Sequence, residues 1–189
     1  MSTWNPTSVE LAWAYATRQH QGQTYGGQAQ GEQIPYMTHI GAVVMELMWG
    51  LQSDASANAD LALQCAALHD TIEDTGASFD DIRQRFGLAV AQGVQALSKD
   101  ASLPGKPAQM ADSLRRIRLQ PREVWMVKLA DRICNLQAPP FYWNDDKILA
   151  YQAEARVILE ALGDASAPLA ARLGDKIEAY AGFLRGAGP

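Results

Sequence analysis

The stretch Cys65-Ala-Ala-Leu-His69-Asp70-Thr-Ile-Glu73-Asp74-Thr75 sets the reading of the whole chain. An apolar run ends in His69-Asp70, and a second acidic pair, Glu73-Asp74, follows three residues on. Four groups able to bind a metal or carry a proton thus share one short window. Helix neighbours three and four apart lie on one face, which would set Glu73 beside His69 and Asp70, and Asp74 beside Asp70. All four can then border one pocket. The competing reading is an exposed acidic helix end. Carboxylates sit poorly there, because the macrodipole is negative at a helix C-terminus. A bound cation would remove that misfit.

Upstream, Asn58 or Asp60 can cap the helix that carries Leu61, Leu63, Cys65, Ala66 and Leu68 into the His-Asp pair, and Gly76 breaks it. Tyr36 opens an earlier helix to about Leu51, with His39 near its start and Val43, Leu47 and Met48 inward. His39 reads either as a ligand or as a satisfied histidine at a helix end. Before it, the glycine- and glutamine-rich residues 21–35 read as a long loop, which in a compact domain is often functional or disordered. Thr7-Ser-Val-Glu10 has the form of a capping box for a first helix to about His20, with Leu11, Ala12, Tyr15 and Ala16 inward.

Downstream, Ser78-Phe-Asp-Asp81 caps a short helix closed by Phe86-Gly87, and Leu88 to Leu97 forms another. Residues 98–108 read as a second loop, whose Lys99 and Lys106 can meet an anion. After a helix from about Gln109 to Leu119, Pro121 reads as the first residue of the next. That helix carries Val127-Lys-Leu-Ala-Asp-Arg-Ile-Cys-Asn-Leu136. Lys128, Asp131 and Asn135 share a polar edge beside the apolar stripe Val124, Val127, Ala130, Cys134. An aspartate among core positions is costly to bury unless paired or metal-bound, so Asp131 is either a ligand or the partner of Lys128 or Arg132. Asn144 caps a long helix to about Leu162, and Ala167 to Leu184 forms the last, which looks structural. With no convincing strand alternation, the expected fold is all-α, about eight to ten helices around one core in a single domain.

Composition narrows the function. Apolar residues make up 48% and charged residues 20% of the 189, ordinary values for a soluble globular protein. A net charge of −5 and a pI near 5.1 argue against a nucleic-acid surface. Cys65 and Cys134 both fall in apolar helical patterns, which fits a reducing compartment. The N-terminal Met1-Ser-Thr-Trp-Asn-Pro6 has no basic and apolar signal-peptide regions, and no apolar run approaches a membrane span. A cytoplasmic location without a membrane partner is expected.

His39, His69, Asp70 and Asp131 together supply two imidazoles and two carboxylates from three helices. Such a mixed set suits a divalent cation such as Mn²⁺, Fe²⁺ or Zn²⁺. The order of these residues resembles the HD phosphohydrolase superfamily. The finer text resembles the hydrolase domain of RelA/SpoT-type guanosine polyphosphate enzymes and their small stand-alone alarmone hydrolases. The stretches that carry the resemblance are His20-Gln-Gly-Gln23, Pro35-Tyr-Met-Thr-His39, Ala67 to Thr75, Phe86-Gly87 and Lys128 to Asn135. It implies a Mn²⁺-dependent 3′-pyrophosphohydrolase converting ppGpp to GDP, with His39, His69, Asp70 and Asp131 on the metal. Glu73 and Asp74 would handle the hydrolytic water, and Asn135 and Tyr151 would contact the nucleotide. Where the family commonly has basic residues after Gln23, this chain has Thr24-Tyr25-Gly26-Gly27. Tyr25 is then a candidate to stack on the base, and another nucleotide, NADPH or a deoxynucleotide, is the second expectation. A non-catalytic nucleotide-binding module is the third.

Overall fold

Ten α-helices, two 3₁₀ turns and one small hairpin make up residues 3–185, the part that the computed structural model describes. Met1 and Ser2, which belong to the N-terminal stretch read against a signal peptide, lie outside it. The first helix, α1 (Pro6–Gln19), starts where the Asn5 side chain accepts the Thr7 N–H, with Pro6 at its first turn. The expected capping box at Thr7–Glu10 does not form, because the helix is already under way there. Leu11, expected inside, is 60% exposed, while Ala12, Tyr15 and Ala16 are buried.

Residues 21–35 are not simply a loop. They hold two antiparallel strands, β1 (Thr24–Gly26) and β2 (Gln33–Pro35), with Tyr25 opposite Ile34. Strands of three residues are too short to show a period of two, so their pattern was invisible in the text. The hairpin leads directly into α2 (Met37–Leu51), which buries Ile40, Val43, Val44 and Leu47 but leaves Met48 39% exposed.

Next come α3 (Ala59–Leu68) and α4 (Thr71–Asp74), then α5 (Phe79–Phe86) and α6 (Leu88–Leu97). Asn58 caps α3 through the Leu61 N–H at 3.1 Å, and α5 begins with a complete Ser78–Asp81 capping box. Helix α6 lies so close to α3 that a Cβ built on Gly93 would stand 2.7 Å from Cys65 Sγ. The next helix, α7 (Gly105–Ile117), starts before the expected Gln109, so the second loop is shorter than read.

In α8 (Arg122–Asn135), Pro121 is the residue before the helix rather than its first member. Asn144 caps α9 (Asp145–Leu162) through the Lys147 N–H at 3.0 Å. The last helix, α10 (Ala167–Tyr180), stops short of Leu184 and gives way to a 3₁₀ turn, Ala181–Phe183. Helix α8 is the hub: α2, α3, α9 and α10 all pack against it. Its residues Met126, Val127, Leu129 and Ala130 are fully buried. Among the described residues no helix is long and apolar enough to cross a membrane, and both cysteines are free.

Candidate metal centre and active site

The centre is built at a break between helices. Helix α3 ends at Leu68, and Asp70 (φ −102°, ψ 0°) leaves the helical path before α4 restarts at Thr71. The Thr71 hydroxyl donates to the Leu68 carbonyl at 2.7 Å, which satisfies an acceptor freed by the break. The single helical face expected over His69–Asp74 is therefore absent. The break turns the consecutive side chains of His69 and Asp70 toward one point, with His69 Nε2 3.0 Å from Asp70 Oδ2.

Two further helices complete the cluster. From the start of α2, His39 Nε2 lies 3.7 Å from Asp70 Oδ2 and 3.4 Å from Asp131 Oδ1. From α8, Asp131 Oδ1 stands 3.9 Å from His69 Nε2. The candidate ligand atoms of His39, His69 and Asp70 all fall within 4.8 Å of one another. The sequence had left Asp131 between a ligand and an ion-pair partner, and it has both faces. Its Oδ2 accepts from Lys128 Nζ at 2.9 Å, its Oδ1 accepts from Asn135 and faces the imidazoles. Arg132 pairs instead with Glu154 on α9.

Whether these residues suit a cation is decided by His69. Its Nδ1 bonds the Ala66 carbonyl at 2.8 Å, and a carbonyl only accepts, so Nδ1 carries the proton. Nε2 is thereby left as the lone-pair atom. It is buried, has no hydrogen-bond partner and faces two carboxylates. Lone pair against lone pair is unfavourable unless something positive lies between them. A proton is one solution: burial pulls the His69 pKa down, but the Asp70 and Asp131 charges outweigh it and hold it up at about 9. A divalent cation is the other, and would displace that proton. The two nitrogens and two carboxylates fit such an ion.

Other groups support the cluster. Burial would raise the pKa values of Asp70 and Asp131, yet both are lowered, Asp70 by His69 and Asp131 by Lys128. Tyr36, one turn before His39, donates its hydroxyl to Asp70 Oδ2 at 2.6 Å. Its ring stacks on His20 at 4.9 Å and meets His39 edge-on at 5.6 Å. His20 Nδ1 lies 2.7 Å from Gln23 Oε1, and Gln23 Nε2 donates to Asp74 Oδ2 at 3.4 Å. Neither Tyr36 nor Gln23 was assigned a role from sequence. Their signal was position: both sit inside the stretches that carry the family resemblance.

The remaining candidates divide. Burial and the neighbouring Asp70 charge raise the Asp74 pKa, which favours its holding a proton. Glu73 accepts from both the backbone N–H and the Nζ of Lys99, each at 2.8 Å, so Lys99 is engaged by the acidic pair. Tyr25 meets the Tyr36 ring edge-on at 6.2 Å, which places it beside the cluster. Tyr151 lies under the Arg132 guanidinium at 4.3 Å and against Trp143 at 5.2 Å. Burial and then the Asp131 charge, against Arg132, push its phenol up. Lys106 is exposed near the start of α7 and makes no ion pair with the cluster among the described residues.

The chain is similar to several known proteins. The chain is 31% identical over 175 residues to the GTP pyrophosphokinase rsh of Brucella suis and 34% identical over 172 residues to the bifunctional (p)ppGpp synthase/hydrolase SpoT of Escherichia coli. It spans about a fifth of their lengths, 21% and 22%, while 90% and 88% of this chain is matched. Against the guanosine-3′,5′-bis(diphosphate) 3′-pyrophosphohydrolase MESH1 of Danio rerio, identity is 28% over 164 residues, 84% of this chain and 86% of that protein. A solved structure of a metazoan ortholog of SpoT, described as hydrolysing ppGpp, superposes with a TM-score of 0.77 at 26% identity, covering 97% of this chain and all of that one. The HD domain profile matches residues 12–175, and with its His-Asp cluster at a helix break, the chain belongs to the HD domain family.

Proposed function

We propose that this chain is a Mn²⁺-dependent hydrolase that removes the 3′-pyrophosphate of guanosine tetra- and pentaphosphate. The observation that carries the reading is the acidic pair Glu73-Asp74 on α4, one turn beyond the His69-Asp70 break. Holding a metal uses the His–Asp cluster; a second pair of carboxylates beside it would serve water. His39, His69, Asp70 and Asp131 would hold the metal, which when bound acidifies water and polarises a phosphoryl oxygen. Asp74, its acidity weakened by burial and Asp70, is suited to take a proton from water and return it to the leaving 3′-oxygen. Glu73, tethered through Lys99, would orient that water. In the net reaction, water oxygen bonds to the phosphorus attached at the 3′ position, the bond to the ribose oxygen breaks, and GDP and pyrophosphate leave. Asn135 and Tyr151 would contact the nucleotide, and Tyr25 would stack on its base.

The packing of α9 and α10 on α8 supports a single domain, and the free cysteines support a cytoplasmic location. The test is pyrophosphate release from ppGpp by metal-stripped protein, with and without Mn²⁺, beside Glu73→Gln. Mn²⁺-dependent release that the variant lacks is the expected result. No release by protein that still binds Mn²⁺ would overturn the substrate. The hairpin carries no lysine or arginine, which favours another nucleotide, NADPH or a deoxynucleotide, as the second reading. A substrate panel separates the two.

A further inference from the structure

A groove of about 440 Å³ runs between α2, α8 and α10, lined by Glu46, Trp49, Cys134, Gln137, Arg172 and Lys176 among others. None of the four cluster residues lines it, but it lies further along two of the helices that carry them. Ala42, Glu46 and Trp49 lie three, seven and ten residues after His39 on α2, and Cys134 lies three after Asp131 on α8, so each set shares its ligand's stripe. Seven residues of helix span about 10 Å. Within the groove, burial, then Glu46 and Asp131, push the Cys134 thiol up to about 12, while Lys176 and Arg172 pull it down.

A highly phosphorylated nucleotide needs cations beyond its reacting end, and the other cations near the cluster are occupied. The hairpin has none, Lys99 pairs with Glu73, Lys128 with Asp131, and Arg132 with Glu154. Arg172 is bound to Glu46 and lies over the Trp49 ring at 5.6 Å. Lys176 is half-buried in the groove wall and makes no ion pair among the described residues. We propose that this groove is a second anion subsite, in which Lys176 meets the 5′-phosphates of the nucleotide whose 3′-pyrophosphate lies at the His–Asp cluster. The proposal rests on the guanosine polyphosphate reading and gives the last helix a part in substrate choice.

Two measurements on Lys176→Glu test it. In turnover, KM for ppGpp rises roughly tenfold with kcat held within about twofold, whereas guanosine 3′-diphosphate, which lacks 5′-phosphates, is cleaved as by wild type. An equal effect on both substrates, or none, overturns the subsite. In calorimetry, wild-type protein binds GDP more tightly than guanosine, and the variant loses that preference. An unchanged preference overturns the subsite even if the chain hydrolyses no guanosine polyphosphate, while absent turnover by wild type tells against the activity alone.

Discussion

The Tyr36 hydroxyl donates to Asp70 Oδ2 across 2.6 Å, so a residue on the threshold of α2 fixes a carboxylate at the α3–α4 break. Partners one bond removed from a metal ligand orient it and tune its basicity. Burial and the Asp70 charge also hold the Tyr36 phenol well above its ordinary pKa, so it stays a donor. Tyr36→Phe is expected to keep the fold and lower metal affinity about 10- to 100-fold. Titration of metal-stripped protein with Mn²⁺ measures this, and wild-type affinity in the variant would remove Tyr36 from the site.

The roles of ligand and water-handling residue separate by mutation. Asp131→Ala is expected to lose metal, whereas Glu73→Gln keeps it and loses about 10²–10⁴-fold in turnover. Metal content after gel filtration, read beside pyrophosphate release, distinguishes them. Equal metal loss in both variants would show the assignment to be wrong.

What the text made legible was the cluster, because its chemistry sits in compact motifs: His69-Asp70 as neighbours, and Lys128, Asp131 and Asn135 on one helical edge. The hydrogen bonds of Asp131 to Lys128 and Asn135 follow directly from spacings of three and four. What hid the rest was distance in sequence. Tyr36 and Asp70 meet across 34 residues, and Lys99 joins Glu73 across 26. Neither contact has a local signature. The break at Asp70 was also unreadable, since nothing around it is a glycine or proline. At α1 the cap is Asn5 rather than the expected Thr7, because Pro6 after it already has the helical φ.

Away from the site, Gly93 predicts a packing defect. Its added methyl in Gly93→Ala would meet Cys65 Sγ at 2.7 Å and Val124 Cγ2 at 3.0 Å. A loss of about 1–3 kcal/mol is expected, measured by urea unfolding. Adding Cys65→Ala should recover part of it, because the two changes share one space. Simple additivity would refute the clash.

Asp54 gives a pH-dependent contribution to stability. The Arg122 hydrogen bond holds its carboxyl at about 2, below the ordinary 3.8. A lowered carboxylate pKa stabilises the fold above the unfolded value and is lost as pH falls through the folded one. The window is therefore about pH 4 down to 2. Both partners are partly exposed, so solvent screening limits the effect to at most about 1 kcal/mol. Asp54→Asn should lower Tm by up to about 2–4 °C at pH 7, with the gap closing toward pH 2. A gap that persists there would place the effect elsewhere.

The candidate ligands come from α2, the α3–α4 break and α8, segments far apart along the chain, so an unfolded molecule cannot present them together. An ion that binds only the folded form draws the population toward it, by about 2.7 kcal/mol when present at a hundred times its dissociation constant. Folded protein is also what resists proteases. The supply of the divalent cation would then set the lifetime of this protein as well as its rate, and a metal-starved cell would hold fewer molecules of it, each with less to do.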